Sequence, residues 1–229
     1  MIKKETWFKL IFFTLPVFFF LLLEIVFRLF NLFSQEQLFI EKKIKGTDHY
    51  QLNPYIARRY FDDAKVALPL LYPETLSKHK SKNTYRIFCL GGSTTAGYPF
   101  DYQVPFPHQL KNILQQAYPD RKFEVINLGL SAVNSFTILD LLPEILRKEP
   151  DLIVIYMGHN EFYGAYGSAS TFSVGQNGRF IRFYINLKNI RIVNAVKQLI
   201  KSMTPAPQKP KKSRTLMESM IGDQAIRYT

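Results

Sequence analysis

Tyr85-Arg86-Ile87-Phe88-Cys89-Leu90-Gly91-Gly92-Ser93-Thr94 is the stretch that decides the fold. Its first six residues make a short, largely apolar run closed by a glycine pair, and a run of that length with those flanks reads as a buried parallel strand. Outward from it, Pro107 to Tyr118 has helical spacing, with Leu110, Ile113, Leu114 and Ala117 on one side. Phe123-Glu124-Val125-Ile126-Asn127 reads as a second strand. Ser135 to Arg147 reads as a helix with Ser135 at its N-cap, and Asp151-Leu152-Ile153-Val154-Ile155-Tyr156 as a third strand. Strand, helix, strand, helix, strand at this spacing predicts an α/β fold with a parallel sheet. Right-handed crossovers place all three strand C-termini on one edge, the edge where open α/β sheets build their sites.

The N-terminus is a different kind of signal. From Trp7 to Phe33 the chain is almost wholly apolar, long enough for a helix of about 20 residues to cross a bilayer. Glu24 and Arg28 stand four apart and share a helix face. The stretch is bulky and no small-x-small cleavage site follows it, which favours a retained anchor over a cleaved leader. Lys3 and Lys4 precede it, which favours the N-terminus inside and the main domain outside the membrane, although Lys42, Lys43 and Lys45 beyond it pull the other way. The expected location is the inner membrane, single-pass, with an extracytoplasmic domain.

The organisation expected is thus a membrane anchor over 1–34, a juxtamembrane stalk over 35–83 interrupted by Gly46, Pro54, Pro69 and Pro73, and an α/β domain over 84–229. Arg179 to Met203 has one continuous helical period. Its apolar positions fit a core-facing helix, and its accompanying basic residues fit a membrane-surface helix. Thr204 to Arg214 reads as a Pro/Lys linker, and Met217 to Thr229 as the start of a further element.

The net charge is +12, from 30 basic and 18 acidic residues. The basic residues cluster near the ends as solvated runs and form no groove-reading motif, so no nucleic-acid partner is expected. The single cysteine, Cys89, excludes an internal disulfide framework and a cysteine-based zinc cluster. Inside a strand it is expected to be an inert core thiol.

Three polar turns follow the three strands: Gly91-Gly92-Ser93-Thr94-Thr95-Ala96-Gly97, Asn127-Leu128-Gly129-Leu130-Ser131-Ala132, and Gly158-His159-Asn160-Glu161. Acyl transfer needs a nucleophile, a base and donors aimed at an oxyanion. The first turn offers a serine hydroxyl at a strand-to-helix junction, the second backbone N–H groups, the third the Asn160 side-chain amide. A phosphate loop is excluded, because no Lys follows Gly97. The Gly-x-Ser-x-Gly elbow fails as well, since Thr95 occupies the place of its last glycine.

Together these turns resemble the SGNH, or GDSL-type, hydrolase superfamily, and the short anchor with GGSTTAGYPF and GHNEFYG looks like its membrane-anchored bacterial members. The resemblance implies a three-layer α/β/α fold with a flavodoxin-like sheet, incomplete here, since only three strong strands are legible. It implies that Ser93 is the nucleophile, with Gly92 standing where the family has Asp. It implies that Ala132, in the place of the second block's glycine, and Asn160, in the Gly-x-Asn block, are oxyanion donors. It implies no metal and no organic cofactor, and as substrate an ester on a small molecule or polymer of envelope carbohydrate or lipid.

The superfamily completes its triad with Asp-x-x-His, which this sequence lacks: His49, His79, His108 and His159 are its histidines, and none stands in that motif. Two expectations therefore stay open. The chain is a fragment, inactive alone, whose Asp/His pair lies beyond it; or it is a degenerate member that binds and does not cleave. His159 is expected in the substrate pocket, and Glu161 as a helix cap.

Overall fold

The computed structural model describes residues 4–61, 68–100, 104–170 and 172–203. They fall into two units, one taking the chain up to Gln35 together with the segment from Phe183 onward, the other running from Glu36 to Arg182. The readings of 204–214 and 217–229 lie outside the described residues. In the first unit, α1 (Lys4–Leu29) passes through Pro16 without a break. Its stretch Trp7–Leu29 is long and apolar enough to cross a membrane, and the protein buries none of its most apolar window. At about 1.5 Å per residue it reaches about 34 Å, against a hydrocarbon core of about 30 Å. Glu24 and Arg28 form the i,i+4 ion pair, at 2.7 Å.

The second unit opens with regular structure where no period was legible in sequence. β1 (Phe39–Ile44), β2 (Thr47–Leu52) and β3 (Thr75–Ser77) form an antiparallel sheet in that order, with one 3₁₀ turn at Ile56–Arg59. Ile44 pairs with Thr47, so Lys45-Gly46 is a two-residue loop with both φ positive (48° and 81°). Positive φ at both central residues is the hairpin geometry that fits strand twist. Leu38, Phe39, Leu52 and Leu76 are buried. The Arg59 guanidinium pins this segment by pairing with Asp140 and Glu144, and Tyr60 Oη donates to Asp140 at 2.8 Å. Burial holds the Tyr60 hydroxyl well above its usual range, so it remains a donor. Removing Arg59 would strand the Asp140 carboxylate, at a cost of about 3–5 kcal/mol.

β4 (Thr84–Gly91), α2 (Ser93–Ala96), α3 (Phe106–Ala117), β5 (Lys122–Gly129), α4 (Ser135–Leu146) and β6 (Leu152–Tyr156) make the α/β part. The strands are parallel, ordered β5-β4-β6. Ile87, Cys89, Phe123 and Val125 lie under Phe106, Leu110 and Leu114 of α3. The alternate residues Phe88, Leu90, Ile126 and Leu128 are buried as well, as expected of a sheet covered on both faces. The two crossovers run in opposite directions, which puts α3 and α4 on opposite faces and makes an α/β/α sandwich. Burial pushes the Cys89 thiol up to about 12, which keeps it unreactive.

Two local expectations are corrected. The N-cap of α4 is Asn134, not Ser135, and its side chain makes no capping bond. Asn134 is wholly buried, and the Glu161 carboxylate takes over the cap from outside, accepting from Ser135 N (3.0 Å) and Ser135 Oγ (2.7 Å). The segment read as one helix over Arg179–Met203 is two, α5 (Gly178–Leu187) and α6 (Arg191–Met203). Within the first unit, Glu24 accepts the N–H groups of Arg191 and Ile192, at 3.1 Å each, and Asn194 Nδ2 donates to the Lys188 carbonyl at 2.9 Å. First-turn N–H groups have no intrahelical acceptor, so an external carboxylate there starts a new helix.

The apolar β4 carries one charge inside. Arg86 is buried and satisfied by Glu124 and by the carbonyls of Lys148 and Ser77. Its own N–H goes to Asp151 Oδ2 at 2.6 Å, and Lys80 Nζ meets the same oxygen. Burial alone would raise the Asp151 carboxyl, but these bonds to Arg86 and Lys80 outweigh it and hold the group below its usual range. A carboxylate depressed in the folded state stabilises above its unfolded value and loses that contribution as pH falls. Asp151→Asn is therefore expected to be less stable than the unmodified protein in urea at pH 7, with the gap closing below about pH 4; a gap independent of pH would contradict the assignment.

Candidate active site

The three turns begin level with one another. Gly91 at the end of β4 pairs with Gly129 of β5 and with Tyr156 of β6. The chain leaves β4 for β5 on one side, and β6 lies on the other, so the gap between β4 and β6 is the topological switch point where such sheets bind ligands.

Ser93 is the first residue of α2, a single turn entered through Gly92 (φ −84°, ψ −152°). Its carbonyl accepts from Gly97 and Tyr98, which closes the turn. From β5, Asn127 Nδ2 donates to the Thr95 carbonyl at 2.9 Å and Asn127 Oδ1 receives Gly129 N at 2.8 Å. The turn is thus clamped to the neighbouring strand and does not depend on its own short helix for rigidity.

Asn160 comes to Ser93 from β6. Gly92, Ser93, Thr94 and Val133 line one small cleft with Tyr156, His159 and Asn160. The space open to the centre of a water molecule is about 10 Å³, room for one oxygen-sized guest. A Cβ built on Gly92 would stand 2.8 Å from Asn160 Nδ2. The amide of Asn160 therefore occupies space that any side chain at 92 would contest. The His159 ring leans on Tyr156, with centroids 5.8 Å apart.

Ala132 does not line this cleft. It holds φ 63°, a left-handed conformation that costs a residue with a Cβ about 1–2 kcal/mol. Its carbonyl accepts from Ala165 N at 3.0 Å. With the Glu161–Ser135 bonds, this ties the second turn to the third. Sequence reasoning placed Ser93, Asn160 and His159 in the turns that meet here. It did not single out Val133 or the Asn127 clamp, which depend on contacts between turns that no local pattern announces. Among the described residues no group of three or more His, Cys, Asp or Glu is placed to hold a metal ion.

A family model described as GDSL-like lipase/acylhydrolase matches residues 89–223, more than half of the chain. The chain belongs to that family. No curated protein matches it. Among solved structures it is similar to AlinE4, described as an SGNH-hydrolase family esterase, at 19% identity over 55% of this chain and 58% of that one, with a TM-score of 0.31. An aspartate-to-alanine variant of AlinE4 matches at 17% identity (61% and 67% covered, TM-score 0.32), and a serine-to-alanine variant at 18% (61% and 67%, TM-score 0.30). The chain spans 58% of the unsubstituted AlinE4 chain, less than two thirds of its length. In this chain of the GDSL-like family, Ser93 and Asn160 both line the cleft between β4 and β6.

The Gly92 contact is directly testable. Gly92→Ala is expected to keep the fold, because the atom it meets is the end of a side chain that can swing aside. The displaced Asn160 side-chain amide should then give NMR amide resonances clearly shifted from those of the unsubstituted protein. Unchanged Asn160 amide resonances in folded Gly92→Ala would refute the contact.

Proposed function

We propose that this protein is a membrane-anchored, extracytoplasmic serine ester hydrolase or acyltransferase that acts through an acyl-Ser93 intermediate. The observation that carries it is the shared cleft: a serine at the head of a clamped turn and an asparagine amide meet around a space sized for one oxygen. Ser93 Oγ attacks the ester carbonyl carbon, forming a C–O bond while its proton passes to a base. The carbonyl oxygen becomes the oxyanion, received by Asn160 Nδ2 and the N–H group of Ser93; Ala132, the third donor expected from sequence, lies outside the cleft lining. Collapse breaks the bond to the alcohol, which leaves with a proton. Water or an acceptor hydroxyl then releases the acyl group by the same steps.

An Asp/His pair serves as base in this chemistry. Among the described residues no carboxylate lines the cleft beside His159, and the 229 residues contain no Asp-x-x-His; those two observations are what the rival reading of a binding protein on the same fold has in its favour. We assign His159 to substrate contact. The acyl donors that fit an external, anchored enzyme of this family are esters on envelope carbohydrate or lipid.

Anchoring is supported by more than the length of α1. Asn31, Leu32 and Phe33, just past its end, bond to Arg191 and Asn194, as Glu24 does to Arg191 and Ile192. A leader removed by cleavage would take half of this folded unit with it. Lys3 and Lys4 before the span favour the N-terminus inside.

A serine-directed fluorophosphonate tests the enzyme reading on the full-length protein. Labelling is expected, lost in Ser93→Ala and retained in His159→Gln, with the latter changing KM more than kcat. No labelling of well-folded protein would establish the binding protein instead.

A further inference from the structure

We infer that α6 lies in the plane of the membrane surface, as an interfacial helix seated on anionic lipid beside the base of the anchor. This rests on the reading of α1 as a membrane span, and the experiment below separates the two.

The helix has an apolar stripe that is largely exposed among the described residues. At about 100° per residue, Ile192, Val193, Val196, Leu199, Ile200 and Met203 fall within one arc of about 120°. Arg191, Asn194, Lys197, Gln198 and Lys201 fall opposite. A helix of a soluble domain turns such a stripe to the core, yet α6 buries no residue at all. From Val196 to Met203 every residue is exposed, with Leu199 and Ile200 at 60% and Met203 at 77%. Thirteen residues are too few to cross a bilayer, and a crossing would carry Lys197 and Lys201 into hydrocarbon.

Its starting point lies where the bilayer ends. Glu24, in the last turns of α1, accepts the first N–H groups of α6. Arg191 donates to the Leu32 carbonyl (2.7 Å) and to Asn31 Oδ1 (3.0 Å), and Asn194 Nδ2 donates to the Phe33 carbonyl (3.2 Å). These bonds fix the N-terminus of α6 at the level where the apolar surface of α1 gives way to polar residues. The exposed stripe of α6 thus continues a surface that already faces lipid. Charge selects the lipid: residues 183–203 contain Lys188, Arg191, Lys197 and Lys201 and no acidic residue. A basic amphipathic helix without net acidity is drawn to anionic headgroups, its apolar face sinking about 5–10 Å. Lys197 and Lys201 flank the stripe with stems long enough to snorkel upward.

The 229 residues contain one tryptophan, Trp7, within α1. A Trp7→Phe, Val196→Trp variant reconstituted in phosphatidylethanolamine–phosphatidylglycerol vesicles moves the reporter to the α6 stripe. The expected result is blue-shifted emission, quenched more by lipids brominated high on the acyl chain than by lipids brominated near its end. Replacing phosphatidylglycerol by an uncharged lipid should weaken the quenching. Quenching of Trp7 in the unsubstituted protein together with an unquenched reporter at 196 would overturn the α6 inference and leave the anchor standing. No quenching at either position would overturn both. Blue-shifted but unquenched emission at 196 would show that protein, such as a second copy, covers the stripe, and would likewise overturn it.

Discussion

The Ser93 turn can lie across the ends of two strands because Gly129 presents no side chain to it. A Cβ at Gly129 would run into the backbone nitrogen of Ala96, inside the single turn that begins with Ser93. Backbone cannot swing aside as a side chain can, so this approach is fixed by the residue type. Once it is made, Asn127 locks it by donating to the Thr95 carbonyl. A four-residue helix would be marginal by itself, since helix nuclei are unfavourable. Here the sheet supplies the rigidity that positions the hydroxyl.

The same economy of support appears on the other side of the cleft. Asn160 sits on a turn that follows an edge of the described sheet, where β6 pairs with β4 alone. That turn is steadied by its bonds to the second turn: Glu161 to Ser135, and Ala165 to Ala132. Sites hold their geometry when the shell behind the reacting groups is itself bonded, and here each of the three turns is bonded to a neighbour. Gly92 fits this scheme, because its bare Cα leaves the space that the Asn160 amide fills.

Much of this was legible in sequence because the central strands are buried on both faces and read as continuous apolar runs. β4, β5, β6, α3 and α4 appear within a residue or two of their expected bounds. The level ends of the strands follow from parallel pairing alone. The antiparallel sheet over 39–77 was hidden for a physical reason: β1 buries only Phe39, so little alternation shows, and its turn uses Lys45-Gly46 where asparagine is the commoner signal. The break between α5 and α6 was hidden because its cause is Glu24, far away in sequence. Arg86 reads as a blemish in an apolar strand and is in fact its best-bonded member. Of the three residues expected at the site, Ser93 and Asn160 line one cleft. Ala132 is placed beside it, in a conformation that glycine would hold at less cost.

The central claim is that Ser93 and Asn160 act on one oxygen. A crystal structure of the full-length protein after reaction with a fluorophosphonate measures this most directly. The account predicts phosphorus bonded to Ser93 Oγ and the phosphoryl oxygen in the cleft, about 3 Å from Asn160 Nδ2. A phosphoryl oxygen turned to solvent, with Asn160 bonded elsewhere, would contradict it.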